Sequence, residues 1–107
     1  MANRSYRIGT VRFLLGDPQM TERSVTVVNK QGIHARPAAE IVKMASRFRS
    51  EITIIRDDLE VNGKSIMGVM MLAAEQGSSV LLRAEGEDAD AALEALAALV
   101  ANRFGEA

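Results

Sequence analysis

The chain has 107 residues, 48% of them hydrophobic and 25% charged, enough for one compact core and too few for two typical domains. A formal charge of −1 supplies no basic field for nucleic acid, and no apolar run approaches the roughly 18 residues of a membrane span, so a cytoplasmic protein with no nucleic-acid partner and no membrane insertion is expected. With no cysteine and one histidine, disulfides and thiol chemistry are excluded, zinc lacks its usual ligands, no metal or cofactor is expected, and any chemistry falls to oxygen or imidazole.

Residues 1–19 carry Arg4, Arg7 and Arg12 and an apolar patch from Val11 to Leu15 that Arg12 interrupts, a pattern that does not suit a signal peptide. They read as an N-terminal extension, poorly ordered or with its start placed too far upstream. Tyr6, Ile8, Val11, Phe13 and Leu15 roughly alternate with polar residues, which also suits an extra strand or a partner-binding segment. Asp17-Pro18 marks a break, and the folded domain is expected over 20–107. Ser24 to Asn29 is rich in β-branched residues and predicts a first strand; after the turn Lys30-Gln31-Gly32, the spacing of Ala38, Ile41, Val42, Ala45 and Phe48 predicts a first helix. Glu51 to Arg56 and Leu59 to Asn62, joined at Asp57-Asp58, predict a hairpin. Ser65 to Ala74 is a Met-rich apolar stretch that predicts a short second helix weakened by Gly68. Val80 to about Glu85 predicts a fourth strand. A third helix follows, capped by Asp88 or Asp90, with Ala92, Leu93, Leu96, Val100 and Phe104 as its apolar stripe. The order β-α-β-β-α-β-α with alternating strands predicts an α+β domain whose sheet is covered by helices on one face.

His34 stands where a turn meets the first helix. The first backbone N–H groups of a helix lack intrahelical acceptors, and with the helix dipole they favour a negative charge there. A phosphoryl group on His34 would meet those donors, and the same dipole favours a neutral ring whose lone pair is available to attack phosphorus. Pro37 suits the first helical turn, and Arg36 offers a permanently charged fork of donors to phosphate oxygens. Spacing alone is equally that of a capping or solvated histidine.

Residues 32–39 (Gly-Ile-His-Ala-Arg-Pro-Ala-Ala) and 62–70 (Asn-Gly-Lys-Ser-Ile-Met-Gly-Val-Met) resemble the two signature segments of the HPr family, the histidine phosphocarriers of the bacterial phosphoenolpyruvate:sugar phosphotransferase system. The resemblance runs from about Thr21 to the end and takes in Gly-Glu-Asp-Ala-Asp at 86–90. It implies an open-faced β-sandwich, four antiparallel strands with three helices on one face. It also implies that His34 is phosphorylated by enzyme I at the expense of phosphoenolpyruvate and donates to enzyme IIA domains, with Arg36 supporting the phosphoryl group. Such a protein is a monomeric, stoichiometric carrier rather than a turnover enzyme.

Ser65 matches the serine that, in many bacteria, HPr kinase/phosphorylase phosphorylates from ATP. Without the resemblance it reads as a plain helix cap. A phosphate there adds about −1.5 to −2 charge beside an apolar helix. By resemblance Ile66, Met67 and Met70 form an exposed docking patch, for which flexible Met side chains are suited, while Met71 and Leu72 are assigned to the core. Ala39 and Lys43 follow His34 at helical intervals and flank the same surface. Two other readings remain: a regulatory carrier of the nitrogen-related branch of the system, in which His34 works in the same way, and a non-phosphorylated interaction module that uses only the Ile66, Met67 and Met70 patch.

Overall fold

The computed structural model of the protein describes residues 20–106; the expectations for residues 1–19 lie outside them. The elements are β1 (Met20–Thr26), α1 (Ala35–Ala45), β2 (Glu51–Arg56), β3 (Leu59–Asn62), α2 (Ile66–Met71), β4 (Ser79–Glu85) and α3 (Ala89–Ala101), followed by a 3₁₀ turn at Arg103–Gly105. The strands form one antiparallel sheet in the order β1-β4-β2-β3, so the expected α+β architecture holds, with three helices on one face.

Strand alternation sorts the two faces. Ile52 and Ile54 of β2, Val61 of β3 and Val80, Leu82 and Ala84 of β4 point toward the helices, which contribute Ala38, Ile41, Val69, Leu93, Leu96 and Val100 to one continuous core. Ile54 and Leu96 are each about 1% exposed, and truncating either to Ala costs about 2–5 kcal/mol. On the opposite face Glu22 and Arg83 are cross-strand partners in an ion pair of 2.7 Å, and Glu60 lies 3.8 Å from the same guanidinium.

Pairing partners shift several boundaries away from the local pattern. β1 occupies Met20–Thr26 instead of Ser24–Asn29, because the polar residues Thr21 to Ser24 find a full register on β4 from Ala84 to Leu81. Val27 still pairs with the chain before β4, donating to Ser78 O at 2.9 Å and accepting from Gly77 N at 2.8 Å, and the ladder stops there. α1 ends before Phe48: the N–H groups of Arg47 and Phe48 reach back only three residues, to Met44 and Ala45, which tightens the chain out of the helix. α2 stops at Met71, and the positive φ of Ala73 turns the chain away. Arg56 Nη1 donates to the carbonyls of Leu72 and Ala73 at 2.9 and 2.8 Å, satisfying oxygens that the helix end leaves open. Phe104 is buried as the apolar stripe implied, but α3 ends at Ala101 and Phe104 sits beyond it in the left-handed region.

Asp88 occupies the N-cap position of α3, yet its side chain does not cap that helix. Its carboxylate accepts from the hydroxyl of Ser50 and from the N–H groups of Arg49 and Ser50, both at 2.9 Å, and so ties the start of α3 to the segment before β2. The Ser50 hydroxyl first, and then the Arg49 N–H, hold the Asp88 carboxyl below the usual carboxylate range. A depressed folded value means stabilisation that is present above the unfolded pKa, about 3.9, and is lost as pH falls through the folded one. We therefore expect Asp88→Asn to lower the urea midpoint at pH 7, with the gap from the parent narrowing below about pH 4. A gap that stays constant with pH would contradict this role.

Candidate functional site

Beyond β1 the chain makes a tight turn built on a buried asparagine. Asn29, 1% exposed, donates from Nδ2 to Gly32 O at 2.8 Å, while the Gly32 N–H donates back to Asn29 O at 3.2 Å. Gly32 has φ +70°, and a Cβ there would lie 2.4 Å from Ala74 O and 2.8 Å from Glu75 Cα. Only glycine meets both demands. The next residue, Ile33, is buried and donates its N–H to that Ala74 carbonyl at 2.8 Å, fastening the turn to the chain that leaves α2.

His34 follows as the N-cap of α1, with extended backbone (φ −95°, ψ −166°) and a carbonyl that accepts from the Ala38 N–H at 2.9 Å. Its side chain makes no cap bond and is free to face outward, where it keeps 36% of its exposure. Ala35 and Arg36 are the first two helical residues, and among the described residues their N–H groups have no acceptor. Pro37 is buried in the first turn and brings no further donor. Arg36 is exposed and has no ion-pair partner among the described residues. A half-exposed imidazole and, among the described residues, two open backbone donors thus stand at the positive end of a helix dipole, with Arg36 exposed in the same first turn.

The ring is oriented from the far end of the chain. His34 Nε2 lies 2.9 Å from Glu106 Oε2, and the other carboxylate oxygen accepts from Asn29 Nδ2 at 2.9 Å. A carboxylate only accepts, so in the neutral ring the proton sits on Nε2 and the lone pair on Nδ1, which has no partner among the described residues. Glu106 reaches the site because Arg103 and Phe104 (φ 56° and 55°) fold the chain back after α3, with Phe104 anchored in the core. No local sequence pattern marks Asn29 or Glu106 as part of the site. The turn chemistry of Asn102 and Gly105 around a phenylalanine signals a reversal there, but nothing local signals a carboxylate 72 residues from the histidine it holds.

Ser65 is the N-cap of α2, and its Oγ accepts from the Gly68 N–H at 3.0 Å. Ile66, Met67 and Met70 are 45%, 73% and 41% exposed. Met71 is 63% exposed and does not join the core, whereas Leu72 does, at 2%. Helical geometry explains the correction: at 3.6 residues per turn Met71 lies about 40° around the axis from Met67, while Val69 and Leu72 lie on the opposite side, against the sheet. On α1, which packs against α2, Ala39 is half-buried and Lys43 is exposed, 3.6 Å from Glu40 in an ion pair of small energetic weight.

Residues 21–102 match the family profile described as the phosphorylation site of the PTS HPr component. The phosphocarrier protein HPr of Cupriavidus necator is 49% identical over 87 residues, covering 81% of this chain and 98% of that protein. The phosphocarrier protein NPr of Shewanella violacea is 44% identical over 86 residues, covering 80% and 94%. Among solved structures, an HPr from Thermoanaerobacter tengcongensis superposes with a TM-score of 0.78 at 47% identity, covering 81% of this chain and 98% of that one.

The Gly32 turn makes a direct prediction. Gly32→Ala adds about 1–3 kcal/mol of backbone strain, together with the overlap on Ala74, and is expected to lower the denaturation midpoint and shift the His34 ring resonances. Unchanged stability and ring shifts would show that the turn tolerates a side chain and does not set the histidine.

Proposed function

The chain belongs to the HPr family of phosphocarriers, and from that premise we propose that His34 accepts a phosphoryl group from phosphorylated enzyme I and delivers it to enzyme IIA domains. The observation that carries this reading is the ring geometry: Nε2 lies against Glu106, and Nδ1, at the amino end of α1, has no partner among the described residues. In the transfer step the Nδ1 lone pair forms an N–P bond as the bond from phosphorus to the donor breaks, the bonding pair leaving with the donor. The transition state is loose and is governed by position and charge. The open N–H groups of Ala35 and Arg36 and the Arg36 guanidinium supply that charge, and Glu106 offsets the positive charge that the ring gains. Half-exposure of His34 suits a group that two partners must reach in turn.

In this reading residues 20–107 are the carrier domain, working as a monomer in the cytoplasm. The exposed Ile66, Met67 and Met70, with Ala39 and Lys43 on α1, form the surface on which partners dock, and Met71 extends it. Ser65 is the regulatory site for HPr kinase/phosphorylase. Its Oγ already serves an N-cap bond, and a phosphate there retains acceptor oxygens for the helix while placing about two negative charges beside the apolar patch. Acidic partners are then repelled and arginine-bearing ones attracted. The NPr relative favours a second reading, a regulatory carrier of the nitrogen-related branch. Donor preference separates the two: equal amounts of the sugar-branch enzyme I and its nitrogen-branch counterpart are offered, and the faster donor names the branch.

Labelling tests the function. With enzyme I and phosphoenolpyruvate the protein is expected to take an acid-labile phosphate that His34→Ala abolishes; labelling that persists in that variant would sink the assignment. Arg36→Gln is expected to slow transfer by roughly 10- to 100-fold, the worth of one charged hydrogen bond. With ATP and the cognate kinase, an acid-stable label is expected that Ser65→Ala removes, and survival of that label would place the regulatory site elsewhere.

A further inference from the structure

The hydrogen bonds that run from Asn29 through Glu106 to His34 have their direction fixed at the buried end. Asn29 spends both hydrogens of its side-chain amide on acceptors, the Gly32 carbonyl at 2.8 Å and Glu106 Oε1 at 2.9 Å. Its own oxygen, Oδ1, is buried with no partner among the described residues. Reversing the amide would set that oxygen against a carbonyl and a carboxylate, so the observed orientation is forced. A buried acceptor left unpaired is costly, and Asn29 bears that cost while supplying two donors from one short side chain. Serine and threonine carry one such donor, and an ionised aspartate carries none.

Both ends of this chain of bonds are held. Asn29 belongs to the turn that packs Gly32 against Ala74, where no side chain fits. Glu106 follows the buried Phe104, and its N–H donates to Arg103 O at 2.8 Å. Its side chain keeps only 16% of its exposure. With Oε1 taken by Asn29, Oε2 is the oxygen left to face His34 Nε2, at 2.9 Å.

We propose that Asn29 is a positioning residue of the transfer site: as a fixed donor it holds the group at position 106 by one oxygen and so imposes the polarity of that group's other atom on His34. The proposal rests on His34 as the phosphoryl acceptor. A carboxylate conceals this control, because both of its oxygens accept. An amide exposes it. In Glu106→Gln the amide oxygen stays with Asn29 Nδ2, which can only donate, and the amide nitrogen is left to face His34 Nε2. That nitrogen donates, so Nε2 has to accept and the ring proton moves to Nδ1. The lone pair that would attack phosphorus is then lost.

His34 is the only histidine, so imidazole nitrogen-15 NMR of the full chain reads its neutral tautomer without overlap, at about pH 8, above the ordinary imidazole range. The parent, Glu106→Gln, Asn29→Ala and the double variant are compared. The expected result is a ring protonated at Nε2 in the parent and mainly at Nδ1 in Glu106→Gln. In the double variant the excess at Nδ1 disappears, because the amide is free to turn. Phosphoryl transfer from enzyme I is expected to fall by roughly tenfold or more in Glu106→Gln and to recover in part when Asn29→Ala is added, a rescue that a merely structural residue would not give. Urea midpoints check that each variant folds, and Asn29→Ser, which keeps one donor, replaces Asn29→Ala if that variant does not. A proton that stays on Nε2 in Glu106→Gln, or an equal excess at Nδ1 with and without Asn29, would overturn the proposal. The tautomer readout needs no phosphoryl donor, so it can fail while His34 is still labelled, and labelling can fail while it holds.

Discussion

The site depends on one contact between backbones. At Gly32 the chain passes so close to Ala74 that no side chain fits, and the Ile33 N–H closes on the same Ala74 carbonyl. This bond joins the turn that begins α1 to the segment that ends α2, so the helix carrying His34 at its cap and the helix carrying Ser65 at its cap share a rigid connection. Arg56, bonded to the carbonyls of Leu72 and Ala73, braces that segment from the hairpin side. The position of the histidine is thus a property of the whole helical layer rather than of its local sequence.

A carrier has to hold its cargo loosely enough to release it. Two open N–H groups and one exposed arginine are modest stabilisation for a phosphoryl dianion, well short of a buried cradle. Glu106 works in the opposite sense on the two halves of the chemistry. In the proposed transfer its hydrogen bond to Nε2 would set the reactive tautomer and steady the ring as it gains positive charge, while its own charge would keep an anion nearby from becoming too stable. Asn29 links that carboxylate to the Gly32 turn, so orientation of the ring and closure of the turn are one hydrogen-bonded unit.

The sequence made the local parts of this design readable and left the long-range parts hidden. Helix caps at His34 and Ser65, the β2–β3 hairpin and the turn at Gly32 are short-range patterns, and the structure places each where residue chemistry put it. Asp88 looked like a cap for its own helix because Asp favours that position, yet its carboxylate serves Arg49 and Ser50, partners 39 and 38 residues away. Met71 looked like core because it is apolar within an apolar run, and only the rotation of a six-residue helix against the sheet turned it outward. Glu106 was invisible for the same reason: its role is created by the reversal at Arg103 and Phe104, not by any spacing from His34.

The central claim is that Nδ1 of His34 is the reacting atom because Glu106 holds the proton on Nε2. Imidazole nitrogen-15 NMR reads this directly, in the free protein and after phosphorylation. The account predicts a free ring protonated at Nε2, and a phosphorylated ring whose phosphorus coupling appears at Nδ1. Phosphorus coupled to Nε2, or a free ring with its proton on Nδ1, would contradict it.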